Sequence, residues 1–305
     1  MAETPAHVPV MLAEVVERLK PRPGQVVLDG TAGGGGHAAA LLEKIRPGGT
    51  LILLDRDRET LERLIARFGR QGDVRYFHAN FSDFDQALEE AGVARLDAAL
   101  VDLGLSSLQL ADADRGFSFD NNGPLDMRFD RSGGLTAEEI VNRWPADRLA
   151  DIFSRYGDQP FAHRIARAIV EARRREQIGR TDQLAALVTA AQPAGYRRTL
   201  GIHPATRVFQ ALRIAVNDEL ESLDQFCRKI FDYLKPGGIV GVIAFHSGED
   251  RIVKHRFREA TQSGKAVLPV VKPIVPTLAE VQANPRSRSA RFRVAERLAP
   301  ATGSL

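Results

Sequence analysis

The stretch Val27-Leu28-Asp29-Gly30-Thr31-Ala32-Gly33-Gly34-Gly35-Gly36-His37 decides how this chain of 305 residues folds. An apolar run ends in an acid, a glycine cluster follows, and a run rich in alanine and leucine begins at Ala38. A second apolar run over 50–54 ends in Asp55-Arg56-Asp57. The pattern predicts a strand, a glycine loop, a helix and a second strand, which is the building unit of doubly wound α/β sheets.

This unit is typical of proteins that bind a cofactor containing adenosine. Glycines allow the backbone to approach a ligand closely, and an acid after the second strand, here Asp55, accepts hydrogen bonds from ribose hydroxyls. The dinucleotide fingerprint G-x-G-x-x-G rests a pyrophosphate on a helix N-terminus, whereas this loop follows an acid, Asp29. A carboxylate suits a cofactor that lacks phosphates and carries a cationic centre, so the pattern favours S-adenosylmethionine over NAD. The alternative is a glycine-rich turn without a ligand.

Composition is ordinary for a soluble globular protein, with 44% hydrophobic and 27% charged residues. The one cysteine, Cys227, excludes an intramolecular disulfide and a cysteine-based zinc cluster, so we expect a cytoplasmic protein without a metal site. No apolar run approaches the roughly 20 residues that span a bilayer, and we expect no membrane partner. A formal net charge of +3 permits nucleic-acid binding without requiring it.

Strand and helix patterns alternate in two parts of the chain, which predicts a parallel sheet interrupted by an insertion. We expect a discontinuous sheet domain over 1–109 and 206–305, and an arginine-rich helical insertion over 110–205. Within the insertion, one predicted helix covers 161–177. Within the sheet domain, a helix over 217–234, a turn over 235–238 and a strand over 239–245 are predicted, and the tail after Thr261 is expected to form edge strands and loops.

Three side chains follow strands whose carboxyl ends should meet at the ligand-binding edge of the sheet. Asp102 ends the fourth strand, so we expect it beside the reactive group of the cofactor, unless it only caps the following loop. Phe81 follows the third strand and could lie against an adenine or be an ordinary core residue. His246 follows the last buried strand and could position a base or a phosphate, although a lone histidine is often structural.

Arginines are concentrated in the insertion. Arg164, Arg167 and Arg174 are spaced so that they would share one face of the predicted helix. Such a face can neutralise the phosphates of a nucleic acid, and the alternative is a solvated surface. More arginines occur at 197, 198 and 207 and between 286 and 293.

Motifs along nearly the whole chain, in the same order, resemble the RsmH family, also called MraW. The stretches that carry the resemblance are His7-Val8-Pro9-Val10-Met11, Leu28-Asp29-Gly30-Thr31, Gly35-Gly36-His37, Asp55-Arg56-Asp57, Asp102-Leu103-Gly104 with Ser106-Ser107 and Gln109, Arg115-Gly116-Phe117-Ser118-Phe119, Gly123-Pro124-Leu125-Asp126-Met127-Arg128, His203-Pro204-Ala205-Thr206-Arg207, and Phe245-His246-Ser247 with Glu249-Asp250-Arg251. One departure is Gly248, which stands where the family usually has leucine.

The resemblance implies a Rossmann-like class I fold dependent on S-adenosylmethionine, with a helical insertion that recognises RNA. The implied enzyme methylates the exocyclic N4 amine of a cytidine in the decoding centre, at the P site, of 16S rRNA. Its implied partner is the small ribosomal subunit, and a homodimer is one option for its oligomeric state. The implied cofactor-binding residues are Gly35, Gly36, His37, Asp55, Phe81, Asp102 and Gln109.

Asp102 is the expected catalytic residue, and His246 and Arg128 join the three helix arginines as expected contacts to substrate RNA. Two other classes of function compete with this interpretation. A non-catalytic RNA-binding or ribosome-assembly protein would keep the basic surfaces without needing a pocket, and an NAD(P)-dependent oxidoreductase would use a similar glycine loop. A methyltransferase that acts on DNA or protein is excluded only by the resemblance.

Overall fold

The computed structural model describes residues 9–70, 72–199 and 201–299. His7 and Val8, the first residues of the N-terminal motif, lie outside these ranges. The chain divides into two compact units. We call residues 1–104 with 220–305 the sheet unit, and residues 105–219 the helical unit.

One sheet of seven strands organises the sheet unit, in the order β3-β2-β1-β4-β5-β7-β6. The strands are β1 (Val26–Asp29), β2 (Thr50–Asp55), β3 (Val74–His78), β4 (Leu96–Asp102), β5 (Leu234–Ala244), β6 (Ala266–Val267) and β7 (Arg291–Arg297). Strands β1 to β5 are parallel, and β7 runs antiparallel to both of its neighbours. The strand order reverses between β1 and β4, which places a ligand crevice outside their carboxyl ends. The predicted Rossmann-like sheet is therefore confirmed.

Fourteen α-helices occur in the described part of the chain. They are α1 (Leu12–Leu19), α2 (Gly36–Ile45), α3 (Arg58–Phe68), α4 (Phe84–Glu90), α5 (Ser107–Ala111), α6 (Ala137–Arg143), α7 (Ala146–Gly157), α8 (Ala162–Ala172), α9 (Thr181–Ala191), α10 (Ala194–Thr199), α11 (Thr206–Asn217), α12 (Glu219–Tyr233), α13 (Ser247–Gln262) and α14 (Leu278–Ala283). Short 3-10 helices cover Phe81–Asp83, Ala113–Arg115 and Pro285–Ser289. None of the helices in the described ranges is long and apolar enough to cross a membrane.

The sheet is buried on both faces. Successive strand residues point to opposite sides, so Leu28 packs in one cluster with Phe226 of α12, while Val27 packs in another with Leu41 of α2. Helices α4, α12 and α13 cover the first face, and α1, α2 and α3 cover the second. Covering both faces leaves the strand ends as the part of the sheet where polar side chains can gather.

Two expectations for the C-terminal part of the sheet unit need correction. The predicted turn over 235–238 is an irregular part of β5, exposed over 235–237, where the register shifts: Leu96 pairs with Leu234 and Ala98 pairs with Ile239. The tail supplies the edge strand β6, as expected, but its longer strand, β7, lies between β5 and β6. Its alternate residues are buried in the clusters on both faces of the sheet, which suits an interior strand.

Helices α6 to α9 and α11 pack around a separate apolar core in the helical unit, and Leu110 of α5 packs against it. Helix α11 belongs to it, because Val208 and Leu212 are buried in the same cluster as Phe153 of α7. The boundaries of the unit therefore lie at Leu105 and Glu219, where the sequence suggested 110 and 205. The only pairing of strand type in the described part of this unit is an isolated bridge between Pro124 and Arg180.

Candidate active site

The glycine loop is held at the carboxyl ends of the central strands by backbone hydrogen bonds. The amide of Gly30 donates to the carbonyl of Leu100 at 2.9 Å, and the amide of Ala32 donates to the carbonyl of Leu54 at 3.0 Å. The loop therefore bridges the ends of β4 and β2 and lies at the point where the strand order reverses.

Two of the predicted cofactor-binding glycines are also required by the packing of the protein itself. Gly35 has a φ of +74°, and a Cβ built on it would lie 2.4 Å from Cδ2 of Leu64. A Cβ on Gly36 would lie 2.3 Å from Cγ of Pro9. Any larger residue would displace α3 or the segment before α1. Glycine at these two positions therefore allows other parts of the chain, and not only a ligand, to approach the backbone closely.

Asp55 is fixed at the end of β2. Its Oδ2 accepts a hydrogen bond from the amide of Gly33 at 2.9 Å, and its Oδ1 accepts one from the amide of Asp57 at 2.8 Å. These bonds hold the carboxylate against the glycine loop. A bond from a ribose hydroxyl to this carboxylate stays a prediction.

Asp102 lies at the end of β4 with one oxygen unpaired. Its amide donates to Oγ1 of Thr31 at 2.7 Å, and its Oδ2 lies 3.5 Å from Nδ1 of His37. Nε2 of His37 must carry a proton, because it donates to the carbonyl of Val10 at 2.9 Å. Oδ1 of Asp102 is buried and has no hydrogen-bond partner. A buried, unsatisfied carboxyl oxygen is costly in a folded protein, which marks this atom for a ligand.

Burial and mutual repulsion change the ionisation of the acids at this edge. Burial is the main cause that raises the pKa of Asp29 to about 7, a bond from the Thr31 amide opposes it, and Asp55 adds to it. Burial raises the pKa of Asp102 well above its ordinary range, and the charges of Asp29 and Glu249 raise it further. Both acids keep their protons more readily than free carboxyl groups do.

Such a cluster attracts a cation and repels a phosphate. Bringing positive charge beside Asp29 and Asp102 offsets their repulsion and favours their ionised forms. The pyrophosphate of a dinucleotide would add negative charge to the same place, which disfavours the NAD interpretation. The residues present therefore fit S-adenosylmethionine, whose sulfur and amino group are both positively charged. No group of three or more residues able to hold a metal ion occurs among the described residues.

From the sequence, Asp29 favoured S-adenosylmethionine as the cofactor, but neither Asp29 nor Glu249 was among the expected site residues. Glu249 is buried, and its Oε2 accepts hydrogen bonds from the amides of Phe245 at 2.7 Å and His246 at 3.2 Å. The signals were present in the sequence. Asp29 ends the first strand, and a glutamate three residues after the N-cap position is the signature of a capping box.

His246 and Phe81 have structural duties in the sheet unit. Nδ1 of His246 caps α13 by accepting from the amides of Gly248 and Glu249, and its Nε2 lies 3.2 Å from a carboxylate oxygen of Glu249. Phe81 is buried in the core, with its ring edge-on to Phe226 at 5.8 Å. A Cβ on Gly248 would lie 3.1 Å from the His246 ring, so the glycine relaxes the capping turn. Contacts of Phe81 with adenine and of His246 with a base stay predictions.

Gln109 and Arg128 are both tied down within the helical unit. Gln109 is buried and completes the capping box of α5 by accepting a hydrogen bond from the amide of Ser106 at 3.1 Å. Arg128 forms a two-point ion pair with Asp126, with both bonds at 2.8 Å. Burial alone would raise the pKa of Asp126, but its bonds with Arg128 outweigh burial, so the pKa is lowered. The guanidinium of Arg128 therefore shapes its own loop, and its contact with RNA stays a prediction.

The expectation that three arginines share a helix face holds for two of them. Arg164 and Arg167 are exposed on α8. The helix ends at Ala172, and the guanidinium of Arg173, the next residue, donates to the carbonyls of Val141 and Trp144, both at 2.7 Å. Arg174 therefore lies beyond the helix, where it pairs with a glutamate at 3.0 Å.

The structure thus brings five of the predicted cofactor-binding residues together at one edge of the sheet unit. They are Gly35, Gly36, His37, Asp55 and Asp102. Phe81 lies in the core of the same unit. The other predicted site residues except His246 belong to the helical unit: Gln109, Arg128, Arg164, Arg167 and Arg174.

The sequence resembles known proteins along nearly its whole length. The sequence matches the MraW methylase family over residues 4–298. It is 51% identical to a ribosomal RNA small subunit methyltransferase H of Nitratidesulfovibrio vulgaris, over 96% of this chain and 86% of that protein. A protein of the same description from Syntrophotalea carbinolica is 49% identical, over 96% and 98% of the two chains. Among solved structures, an rRNA methylase from Streptococcus thermophilus is 11% identical, with a TM-score of 0.44 over 98% of this chain and 99% of that one.

Proposed function

The chain belongs to the MraW methylase family, and we propose that it methylates the exocyclic N4 amine of a cytidine in the decoding centre of 16S rRNA. The curated relatives are named as methyltransferases of small-subunit ribosomal RNA, which supports the substrate class. S-adenosylmethionine is the cofactor of this methylase. The cytidine, its N4 atom and the small ribosomal subunit as partner belong to the proposal.

The observation that carries the proposal is the free oxygen of Asp102. Oδ1 is buried without a partner at the carboxyl end of β4, beside the glycine loop. A base amine that enters this edge can donate a hydrogen bond to Oδ1, which accepts none from any other group of the described chain. Transfer requires the reacting atoms to be held about 3–3.5 Å apart, and one directed hydrogen bond helps to orient the amine.

The residues of this edge prepare the amine for reaction. When bound, S-adenosylmethionine supplies an electrophilic methyl group on a positively charged sulfur. The lone pair of the cytosine amine is delocalised into the ring, so the nitrogen is a weak nucleophile. Oδ1 of Asp102, ionised beside that positive charge, accepts a hydrogen bond from the amine and stabilises the charge that develops on nitrogen. It can then take the proton that the nitrogen loses.

His37 and Thr31 are expected to position this carboxylate. Nε2–H of His37 donates to the carbonyl of Val10, so Nδ1 faces Asp102 at 3.5 Å, and a proton on Nδ1 would let the ring donate to the ionised carboxylate and limit its rotation. Thr31 fixes the backbone through the amide of Asp102. The target base must leave its stack to reach this edge, as in other enzymes that modify bases.

The test is methyl transfer to small ribosomal subunits that lack this modification. After incubation with S-adenosylmethionine, the rRNA is digested and its methylated nucleosides are identified by mass spectrometry. We expect new methyl on the cytidine amine. Methyl on carbon 5 or on a ribose would overturn the proposed target, and no methyl despite cofactor binding would overturn the proposed substrate.

The variant Asp102→Asn tests the role of the carboxylate. The amide keeps the size of the side chain but cannot accept a proton, so the rate should fall by about a hundredfold or more. Glu62→Gln on α3 is the matched control, because this exposed glutamate also loses one carboxylate. Unchanged turnover in Asp102→Asn, with a normal melting temperature, would refute the assignment.

A further inference from the structure

Helix α13 carries a row of cations on its exposed side. Arg251, Lys254, His255 and Arg258 are all exposed, and their spacing of three, four and seven residues puts them on one face. We call these four residues the α13 basic stripe. The rise of 1.5 Å per residue makes the stripe about 10 Å long from Arg251 to Arg258.

The acids near the stripe are engaged elsewhere. Asp250 is buried and binds both Arg291 at 3.1 Å and Arg293 at 2.6 Å. Glu259 binds Arg256 at 2.6 Å and lies 3.6 Å from the ring of His255. In the described chain, the side chains of Arg251, Lys254 and Arg258 form no ion pair.

Stability does not explain this arrangement. Like charges three or four residues apart destabilise a helix by about 0.2–0.5 kcal/mol per pair. Apart from the contact of His255 with Glu259, the stripe forms no ion pair in the described chain that offsets this cost, which is expected of a surface that binds a polyanion.

The stripe begins at the edge of the sheet where the candidate active site lies. Ile243 of β5 is the register partner of Asp102, and its carbonyl accepts a hydrogen bond from the amide of Leu103 at 3.0 Å. Helix α13 starts at Ser247, four residues later, and Ser247 is exposed on the same side as Arg251. The sheet unit thus presents a reacting edge that continues into a run of positive charge.

We propose that the α13 basic stripe binds the phosphate backbone of the RNA strand whose cytidine enters the active site. This inference rests on the proposed function and adds a second RNA-binding surface to α8, within the catalytic unit itself. Three permanent cations in a row match a chain of phosphates better than they match one isolated anion. Binding at the stripe would hold the strand while the target base is unstacked.

The test is the salt dependence of RNA binding in the triple variant Arg251→Gln/Lys254→Gln/Arg258→Gln. The probe is a short single-stranded RNA that contains cytidine. Each lost phosphate contact should make the slope of log K against log salt shallower by about 0.7, so three contacts amount to about 2. The same relation predicts binding about a hundredfold weaker at 0.1 M salt. An unchanged slope would overturn the proposal.

The triple variant Lys20→Gln/Arg22→Gln/Arg95→Gln is the matched control. These exposed residues precede β1 and β4, at the opposite edge of the same sheet, and their removal takes away the same charge. We expect the control to keep the wild-type slope, and a slope that falls equally in both variants would contradict a specific stripe. Affinity for S-adenosylmethionine should be normal in both. If the α13 triple variant loses its affinity for S-adenosylmethionine, the salt dependence is measured in the single variant Lys254→Gln instead. Its slope should be shallower than the wild-type slope by about 0.7, and an unchanged slope would overturn the proposal.

The nucleoside analysis of wild-type protein separates this proposal from the proposed function. Methyl on the cytidine amine together with an unchanged slope in the α13 variant would support the proposed function and refute RNA binding by the α13 basic stripe. Methyl on a different nucleotide together with a shallower slope would refute the proposed target and support the α13 basic stripe as an RNA-binding surface.

Discussion

Replacing Asp29 with asparagine should flatten the pH dependence of stability. Asp29 is 1% exposed, and its pKa is raised from an ordinary 3.8 to about 7. The folded protein therefore holds this proton more tightly than the unfolded chain does. This contribution to stability is complete below about pH 4 and is lost as the pH rises to about 7.

The size of the effect follows from the same pKa. The interval between 3.8 and about 7 corresponds to about 4 kcal/mol, at about 1.4 kcal/mol per pH unit. The part that falls between about pH 5 and about pH 8 is roughly 2.5 kcal/mol. The raised pKa of Asp102 acts in the same direction, so the total loss in the wild-type protein should be larger.

Urea unfolding of the protein without cofactor, followed by circular dichroism between about pH 5 and pH 8, measures this change. Asparagine can still accept the bond from the Thr31 amide at 3.2 Å, so the variant should keep the local geometry. Glu62→Gln serves as the control for loss of a carboxylate. Equal pH dependence in wild type and Asp29→Asn would refute the claim that burial sets the ionisation of this acid.

Three further predictions concern the site and the helical unit. Gly36→Ala should lower stability by about 1–3 kcal/mol and weaken cofactor binding, because its Cβ would lie 2.3 Å from Pro9; an unchanged melting temperature would contradict this. The rate of methyl transfer should fall as the pH is lowered. Because the pKa of Asp102 is raised, its carboxylate becomes protonated, and stops being a hydrogen-bond acceptor for the amine, at a higher pH than an ordinary aspartate. A rate that stays constant down to about pH 5 would argue against a catalytic role for Asp102. Arg164→Glu/Arg167→Glu should weaken RNA binding and its salt dependence while cofactor affinity is kept; an equal salt slope would show a merely solvated face.

Local patterns predicted the sheet well. The run from Val27 to His37 combines a strand, an obligatory turn and a helix start, and each depends on residues within a few positions of one another. The position of Asp55 and Asp102 at strand ends followed from the same reasoning, because parallel strands bring their carboxyl ends to one edge.

Helix ends and capping side chains were harder to predict. The helix expected to reach residue 177 ends at Ala172, where Arg173 binds carbonyls of residues 141 and 144. Gln109 belongs to a capping box, whereas the family motif had suggested a contact with the cofactor. A polar side chain near a helix end can bind one of several backbone groups, and some of those groups are distant in sequence. The sequence alone does not show which of these hydrogen bonds forms.

By itself, the sequence determined the doubly wound sheet, the family and the class of cofactor, because these depend on periodicity and on short motifs. Only the tertiary structure decided how the acids behave. Asp29, Asp102 and Glu249 lie far apart in the chain, yet they lie close enough at one edge to raise the pKa of Asp102. Burial and Coulomb repulsion act through distance in space, and the order of residues along the chain does not specify that distance.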